Sequence, residues 1–312
     1  MSEPTIAILC SGQGQQHREM FATVSDAVEA EPVFTEASQY FNGVDPRNFV
    51  RDAPEDALFS NRVGQLLCCT QALAAWAALG PARPRRAVIA GYSVGELAAW
   101  GCAGILAPEA VLALAEQRAR LMDTVSPPDS GLLGVVGLRA PDITPFLERN
   151  TLSIAIENDI DSFVVGGLNS GLVAFAEQVQ QIGARHVKRI HVAVPSHTTL
   201  LKAACPAFAD VLKHHALHRP APGLRLLSGI DADRVVDLDE GADKLAAQIA
   251  QTIHWSDCLQ ACIESGAVAA LELGPGDALC RMLENRDAPL IVRACDKFRR
   301  MDSVRTWLEG FN

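Results

Sequence analysis

The residues with the clearest chemical potential lie in Ala87-Val88-Ile89-Ala90-Gly91-Tyr92-Ser93-Val94-Gly95-Glu96. A short apolar run of strand type enters a Gly-x-Ser-x-Gly turn, and a helix-forming run from Glu96 to Trp100 leaves it. This is the sequence form of a nucleophile elbow, in which a serine hydroxyl stands up at a sharp strand-to-helix bend. Glycines at 91 and 95 let strand and helix pass close together because they carry no Cβ. The helix that follows aims unpaired N–H groups and the positive end of its dipole at the same point. A negative oxygen developing on an ester or thioester carbonyl would be stabilised there. Residue frequencies give this five-residue pattern by chance in about one chain in ten of this length. The flanking strand and helix therefore carry much of the weight against an ordinary βα turn.

Other residues are candidates on local grounds. Arg118 and Arg120 lie in a helical run, Leu114 to Met122, with largely apolar neighbours. One of them turned inward would present a guanidinium able to grip a carboxylate with two parallel hydrogen bonds. The local sequence by itself favours the plainer reading, a surface arginine paired with Glu116. His197 follows Val192-Ala193-Val194-Pro195-Ser196 at a strand-to-helix junction. In open α/β sheets, sites assemble at such junctions, although a lone histidine after a strand is more often a structural one. Ser11-Gly12-Gln13-Gly14 is either a plain turn or a loop that lets backbone approach a ligand; without a third glycine it is poor evidence for a dinucleotide site. His214, His215 and His218 read as an exposed basic helix end rather than a metal cluster. Cys258 and Cys262 share a helix face and read as core packing.

The elements that must hold these residues fit a chain of 312 residues, 49% hydrophobic, with net charge −10. That is enough for one large unit and a smaller one. No basic run suggests nucleic acid, and no apolar run reaches the length of a membrane helix. Met1-Ser2-Glu3-Pro4 lacks the basic start of a signal peptide. Nine scattered cysteines without a Cys-x-x-Cys read as reduced thiols of a cytoplasmic protein.

Thr5–Cys10 is a buried-strand candidate, residues 17–60 are helical in patches, and Gln65–Leu79 is a helix stopped by Gly80-Pro81. Pro108 opens another helix through Met122. After Ser126-Pro127-Pro128 the pattern changes. Strands at Gly131–Leu138, Leu152–Glu157, Ser162–Val165 and Arg185–Val192, with helices at Ala140–Arg149 and Leu172–Ile182, give the ferredoxin-like order βαββαβ. Residues 198–218 read as helical, Gly223–Leu227 as a strand, Ala242–Thr252 as a helix, and Trp255 opens another. Ala267–Leu273 and Leu290–Ala294 are the last strands. A ferredoxin-like small domain, 127–192, is thus inserted in an α/β-hydrolase-like large domain with a parallel sheet, 1–126 and 193–312.

The landmarks together resemble the malonyl-CoA:acyl carrier protein transacylases over nearly the whole chain. They run in that family's order: Gly12-Gln13-Gly14, Gln65, Gly91-x-Ser93-x-Gly95-Glu96, Arg118 with Met122, Val194-Pro195-Ser196-His197, and Leu273-Gly274-Pro275-Gly276. The resemblance implies that Ser93 is the nucleophile and becomes malonylated, with His197 as its general base and acid. It makes Arg118 the ligand of the malonate carboxylate, and reverses the local readings of Arg118 and His197. It assigns the oxyanion hole to the backbone N–H groups of Gln13 and Val94, and lines the pocket with Gln65, Tyr92 and His254. It implies no tightly bound cofactor and no metal, malonyl-CoA as substrate, and the phosphopantetheine-type thiol of an acyl carrier protein as acceptor. In that family a backbone carbonyl orients the histidine; here it is expected near Ile253 or His254.

Three positions depart from the fatty-acid-synthesis pattern: Tyr92 in place of His, Ser11 in place of Pro, and His254 in place of Gln or Arg. Gly-Tyr-Ser-Val-Gly-Glu is more similar to the transacylase subunit of malonate decarboxylase, whose partner is a dedicated small carrier subunit. The alternatives are the malonyl transacylase of fatty-acid or polyketide synthesis, a serine thioesterase or hydrolase, and a non-catalytic carrier-docking subunit.

Overall fold

The computed structural model describes residues 3–311; of the N-terminal stretch read against a signal peptide, Met1 and Ser2 lie outside them. Nine strands occur among the described residues: β1 (Thr5–Cys10), β2 (Ala87–Gly91), β3 (Ser130–Val136), β4 (Ser153–Asp159), β5 (Ser162–Leu168), β6 (His186–Arg189), β7 (Leu224–Leu226), β8 (Ala267–Leu273) and β9 (Ile291–Ala294).

Five of them form a parallel sheet in the order β7-β2-β1-β8-β9. Every residue of β1 and β2 is buried, which is why both read as unbroken apolar runs. They pair in register, Cys10 opposite Gly91. The chain therefore leaves both strands at the same edge, and the Ser11–Gly14 loop lies beside the Ser93 turn. This is the carboxyl-end crevice where open parallel sheets gather their sites.

The helix Asn61–Leu79 crosses behind that crevice with nearly all its residues buried. The segment 61–82 does reach membrane-span length and apolarity, at mean hydropathy 1.3, contrary to the sequence expectation. Its apolar stretch is 83% buried inside the protein, so it is a core helix.

The second sheet is antiparallel, in the order β4-β5-β3-β6. Helices Ala140–Arg149 and Asn169–Gln181 pack on one face around Val135, Ile143, Val165, Phe175 and Val179. The alternate residues Leu132, Ile156 and Val164 face the main core. The βαββαβ reading thus gives the observed sheet, with corrected ends. The edge strand β6 stops at Arg189 rather than running from 185 to 192. Between 198 and 218 the chain is helical only at Thr199–Leu201 and Ala204–Leu212, so His214, His215 and His218 lie beyond the helix end.

A third correction matters for the site. The helix expected at 242–252 spans Leu238–Ala247, opened by Asp237, whose side chain accepts from the N–H groups of Asp239 and Glu240. The chain from Gln248 onward is therefore free to turn. All nine cysteines are free thiols, eight buried and Cys205 partly so.

Candidate active site

The elbow is built by sterics. A Cβ on Gly91 would sit 2.1 Å from the Glu96 nitrogen, and one on Gly95 would sit 2.1 Å from the Cys10 carbonyl oxygen. Neither position accepts a larger residue without moving backbone. Ser93 itself is held at φ 57°, a left-handed conformation that non-glycine residues adopt only when the surroundings impose it.

Ser93 Oγ lies 2.7 Å from His197 Nε2. His197 is likewise left-handed, at φ 62°, and is 1% exposed. Its Nδ1–H donates to the Gln248 carbonyl oxygen at 2.6 Å, and its backbone N–H to the Ile249 carbonyl at 2.8 Å. Because a carbonyl only accepts, this bond fixes the tautomer and leaves Nε2 bare toward the serine. Burial, reinforced by the charge of Arg118 and opposed by the Gln248 carbonyl, pulls the His197 pKa down to about 3. The resting imidazole is neutral, and so able to take a proton from an alcohol attacking a carbonyl.

The orienting carbonyl is that of Gln248, upstream of the expected Ile253 or His254. The Ile253 carbonyl is already engaged: it accepts from Glu157 N–H at 2.9 Å, while Ile253 N–H donates to Ala155 at 3.0 Å. That stretch bridges to β4.

The anion-stabilising side is formed by two loops. A Cβ on Gly12 would lie 2.6 Å from the Tyr92 carbonyl oxygen and 3.5 Å from Ser93 Cβ, so the Gly12–Gln13 peptide abuts the serine. The N–H groups of Gly95 and Glu96 bond to the carbonyls of Tyr92 and Ser93. Among the described residues, the N–H groups of Gln13 and Val94 have no acceptor. These are two orphan donors beside the hydroxyl, which can hold a developing oxyanion.

Arg118 is 1% exposed, on the helix Pro108–Val125. Nη1 donates to Gln65 Oε1 at 2.8 Å and Nη2 to Gln248 Oε1 at 3.2 Å. Among the described residues it makes no ion pair, and its buried Nε has no partner. Burial lowers its pKa to about 10, with Cys69, Glu96 and Cys205 opposing, so it stays charged at neutral pH. The surface pairing considered for this helix is made by Arg120, whose Nε reaches Glu116 Oε1 at 2.5 Å. An unpaired buried guanidinium is costly unless something anionic joins it. One residue, Gln248, touches both His197 and Arg118.

Residues 8–286 match the family described as acyl transferase domain. The chain belongs to that family. Of the relatives, the malonyl CoA-acyl carrier protein transacylase of Escherichia coli K12 is 26% identical over 282 residues, covering 88% of this chain and 90% of the relative. The aligned stretch covers only 62% of the Haemophilus influenzae malonyl CoA-acyl carrier protein transacylase. It covers 4% of polyketide synthase GfsB of Streptomyces halstedii, at 30% identity over 203 residues. The acyl-carrier-protein S-malonyltransferase structure from Burkholderia pseudomallei 1710b superposes with TM-score 0.88 at 26% identity, over 97% of this chain and 99% of that one. A malonyl-transacylase in complex with a type II PKS acyl-carrier protein gives TM-score 0.88 at 25% identity, over 99% and 100%.

Within this acyl transferase domain, the geometry gathers Ser93, His197, Arg118, Gln65, Gln13 and Val94. Tyr92 and His254 make long-range contacts of their own. Tyr92 Oη donates to Asn158 Oδ1 at 3.0 Å, and its ring meets Trp255 edge-on at 5.3 Å. His254 Nδ1 lies 2.8 Å from Glu157 Oε2. Both bind β4 and tie the two sheets together. The third departure, Ser11, donates to the buried Glu272 at 2.8 Å, and Glu272 also accepts from Leu279 and Cys280 N–H groups.

Three residues at or behind the site escape the sequence reading: Gln248, which touches His197 and Arg118, and Glu96 and Asn61, which touch neither. Glu96 is 1% exposed and accepts from Gly229 N–H at 3.0 Å and from Gln248 Nε2. Burial raises its pKa to about 7, against the hydrogen bonds from Gly229 and Gln248 and the charge of Arg118. A glutamate following the elbow glycine was the available signal for the second of these; Gln248 and Asn61 have none, since their role comes from long-range contact.

Proposed function

We propose that this protein moves a malonyl group from malonyl-CoA, through malonyl-Ser93, to the thiol of an acyl carrier protein. The observation that carries the reading is Arg118: a fully buried, unpaired cation that shares Gln248 with the Ser93–His197 pair. A carboxylate on the acyl group would satisfy it, whereas an acetyl group would leave it unpaired.

In this reading, Ser93 Oγ attacks the thioester carbonyl as His197 Nε2 takes its proton. The N–H groups of Gln13 and Val94 hold the oxyanion. The C–S bond breaks, and the departing CoA thiolate receives the proton from Nε2. The carrier thiol then attacks malonyl-Ser93, giving its proton to Nε2, from which it returns to the Ser93 oxygen. This is a ping-pong cycle. No carboxylate is needed behind the histidine, because the Gln248 carbonyl does the orienting.

The names of the relatives support malonyl transfer to an acyl carrier protein, a carrier of fatty-acid or polyketide synthesis included. Tyr92 in the elbow favours instead a dedicated malonate-decarboxylase carrier subunit. Residues 127–192 are read as the small unit and 1–126 with 193–312 as the large one, supported by the separate core around Phe175. Nine unpaired thiols support a reducing, cytoplasmic setting.

Incubation with malonyl-CoA should add one malonyl mass to the intact protein and none to Ser93→Ala. Rapid release of free malonate without an acceptor thiol would instead indicate a hydrolase. Offering the malonylated enzyme a fatty-acid carrier and a malonate-decarboxylase carrier, and comparing rates, decides between carriers; preference for the former would sink the decarboxylase assignment.

A further inference from the structure

Two hydrogen-bonded relays converge on Arg118 from opposite sides, and each ends on a carboxylate that does not touch it. On one side, Arg118 Nη1 donates to Gln65 Oε1, Gln65 Nε2 to Asn61 Oδ1 at 2.8 Å, and Asn61 Nδ2 to Asp123 Oδ1 at 2.8 Å. On the other, Nη2 donates to Gln248 Oε1, and Gln248 Nε2 donates to Glu96 Oε2, which also accepts from Gly229 N–H.

The direction of each relay is dictated by chemistry. A guanidinium has only donors. The oxygen that ends each relay accepts: Glu96 Oε2 takes the Gly229 N–H as well as the Gln248 amide, and Asp123 Oδ1 takes the Asn61 amide. Every amide between them must therefore turn its NH2 outward and its oxygen toward Arg118. A flipped Gln65 or Gln248 would set two donors against the guanidinium; it would also take a donor from the Asn61 amide oxygen in the first case and from the buried Glu96 carboxyl in the second, a loss of the kind that costs most in a dry interior. The fit at Glu96 is tight: a Cβ on Gly229 would lie 2.7 Å from its Oε2 and 3.4 Å from Gln248 Nε2.

We propose that Glu96 and Asp123 are positioning residues for acyl selection, which hold the two amides so that Arg118 is aimed at the substrate carboxylate. The inference rests on the malonyl reading of the site. Neither carboxylate touches substrate, and neither neutralises the guanidinium by direct contact. Gln248 fixes His197 through its backbone carbonyl, and that bond does not depend on its side-chain amide. Disturbing the relays therefore moves acyl selection and spares proton transfer.

The test compares KM and kcat for malonyl-CoA and for acetyl-CoA in wild type, Glu96→Gln, Glu96→Asp and Asp123→Asn. Glu96→Gln keeps the shape but supplies an NH2 that no longer dictates how Gln248 turns. Its KM for malonyl-CoA should rise about 10-fold, the usual scale for groups that orient a ligand-binding residue, with kcat and the acetyl KM unchanged. Glu96→Asp, which keeps the charge and withdraws it from Gln248, should do the same. Asp123→Asn, at an exposed helix position that tolerates change, should give a smaller rise of about 3-fold by the same logic.

A fall in the malonyl KM of Glu96→Gln would mean that Glu96 only counterbalances Arg118, and would overturn the proposal. Equal losses on both substrates would reduce both residues to a structural role and overturn it too, as would no change. If Glu96→Gln does not fold, Glu96→Asp and Asp123→Asn carry the decision. Malonylation of the wild-type protein, followed by mass, is read in parallel. Its absence would sink the malonyl reading itself; its presence with unmoved selectivity in the variants would sink only the relays.

Discussion

The two halves of the site are held in place by different means. The Ser93–His197 half is fixed by backbone: two residues in left-handed conformations, two glycines packed against main chain, and a carbonyl as the histidine's partner. The Arg118 half is fixed by side chains, with Gln65 and Gln248 as its immediate partners. The difference teaches where substitution can act. Backbone geometry cannot be edited one functional group at a time, so the nucleophilic half should respond to mutation as a whole. The Arg118 half is modular, and in the proposed cycle it can be changed while the chemistry is kept.

The largest expected effect lies on the nucleophilic side. Ser93→Ala should lower transfer of every acyl group by about 10⁴-fold or more, measured as carrier acylation in steady state. Residual transfer that is still carried on the protein would break the comparison at its root. Next, Arg118→Ala should lower kcat/KM for malonyl-CoA by about 10³-fold, the scale of losing one partner of a buried charge pair. Acetyl transfer should hold or rise. Equal loss for both acyl groups would show that the two halves are one unit.

Gly95→Ala should destabilise the fold by about 3 kcal/mol or more, because its new Cβ meets the Cys10 carbonyl. Denaturant unfolding reads this, and any folded fraction should lose malonyl and acetyl transfer alike. The smallest effect concerns pH. With the His197 pKa near 3, the acid limb of acylation should lie well below its ordinary value of 6.5, checked by brief pH jumps. A limb at 6.5 would mean the imidazole is not shielded as described.

The same groups set opposing stability slopes. Between pH 6.5 and about 3 the unfolded chain binds a proton at His197 that the folded one does not, so stability is lost as pH falls through that window. Glu96, raised from 4.5 to about 7, is the reverse case: the folded state holds the extra proton there, and its contribution weakens as pH rises across that interval.

Much of the nucleophilic half was legible because it is local. β1 and β8 have the bounds their apolar runs suggest, and the strand–Gly-x-Ser-x-Gly–helix pattern specifies the elbow within a few residues. Arg118 needed the resemblance, since its own neighbourhood favoured a surface pairing with Glu116; the structure gives that partner to Arg120 and Arg62. Gln248 was hidden for a physical reason. Leu245-Ala246-Ala247-Gln248-Ile249-Ala250 continues the helical pattern, and only tertiary contact shows that the helix stops at Ala247 so that two carbonyls can turn to His197. Tyr92 and His254 were read by position in a motif, and their bonds to Asn158 and Glu157 are long-range contacts that no local pattern announces.

The buried thiols have one more consequence. Cys68 Sγ lies 3.2 Å from the Gly12 carbonyl and Cys69 Sγ 3.8 Å from that of Val94, both next to the acylated serine in the proposed cycle. A catalyst that hands acyl groups to sulfur, as proposed, would carry rival sulfurs against its own reaction centre. Burial pushes the Cys69 thiol up to about 12 and raises Cys68 well above its usual range, so neither ionises at neutral pH. In the proposed cycle this spares the protein self-poisoning: the malonyl-serine waits for a visiting thiol that His197 can deprotonate, because the resident ones are kept silent.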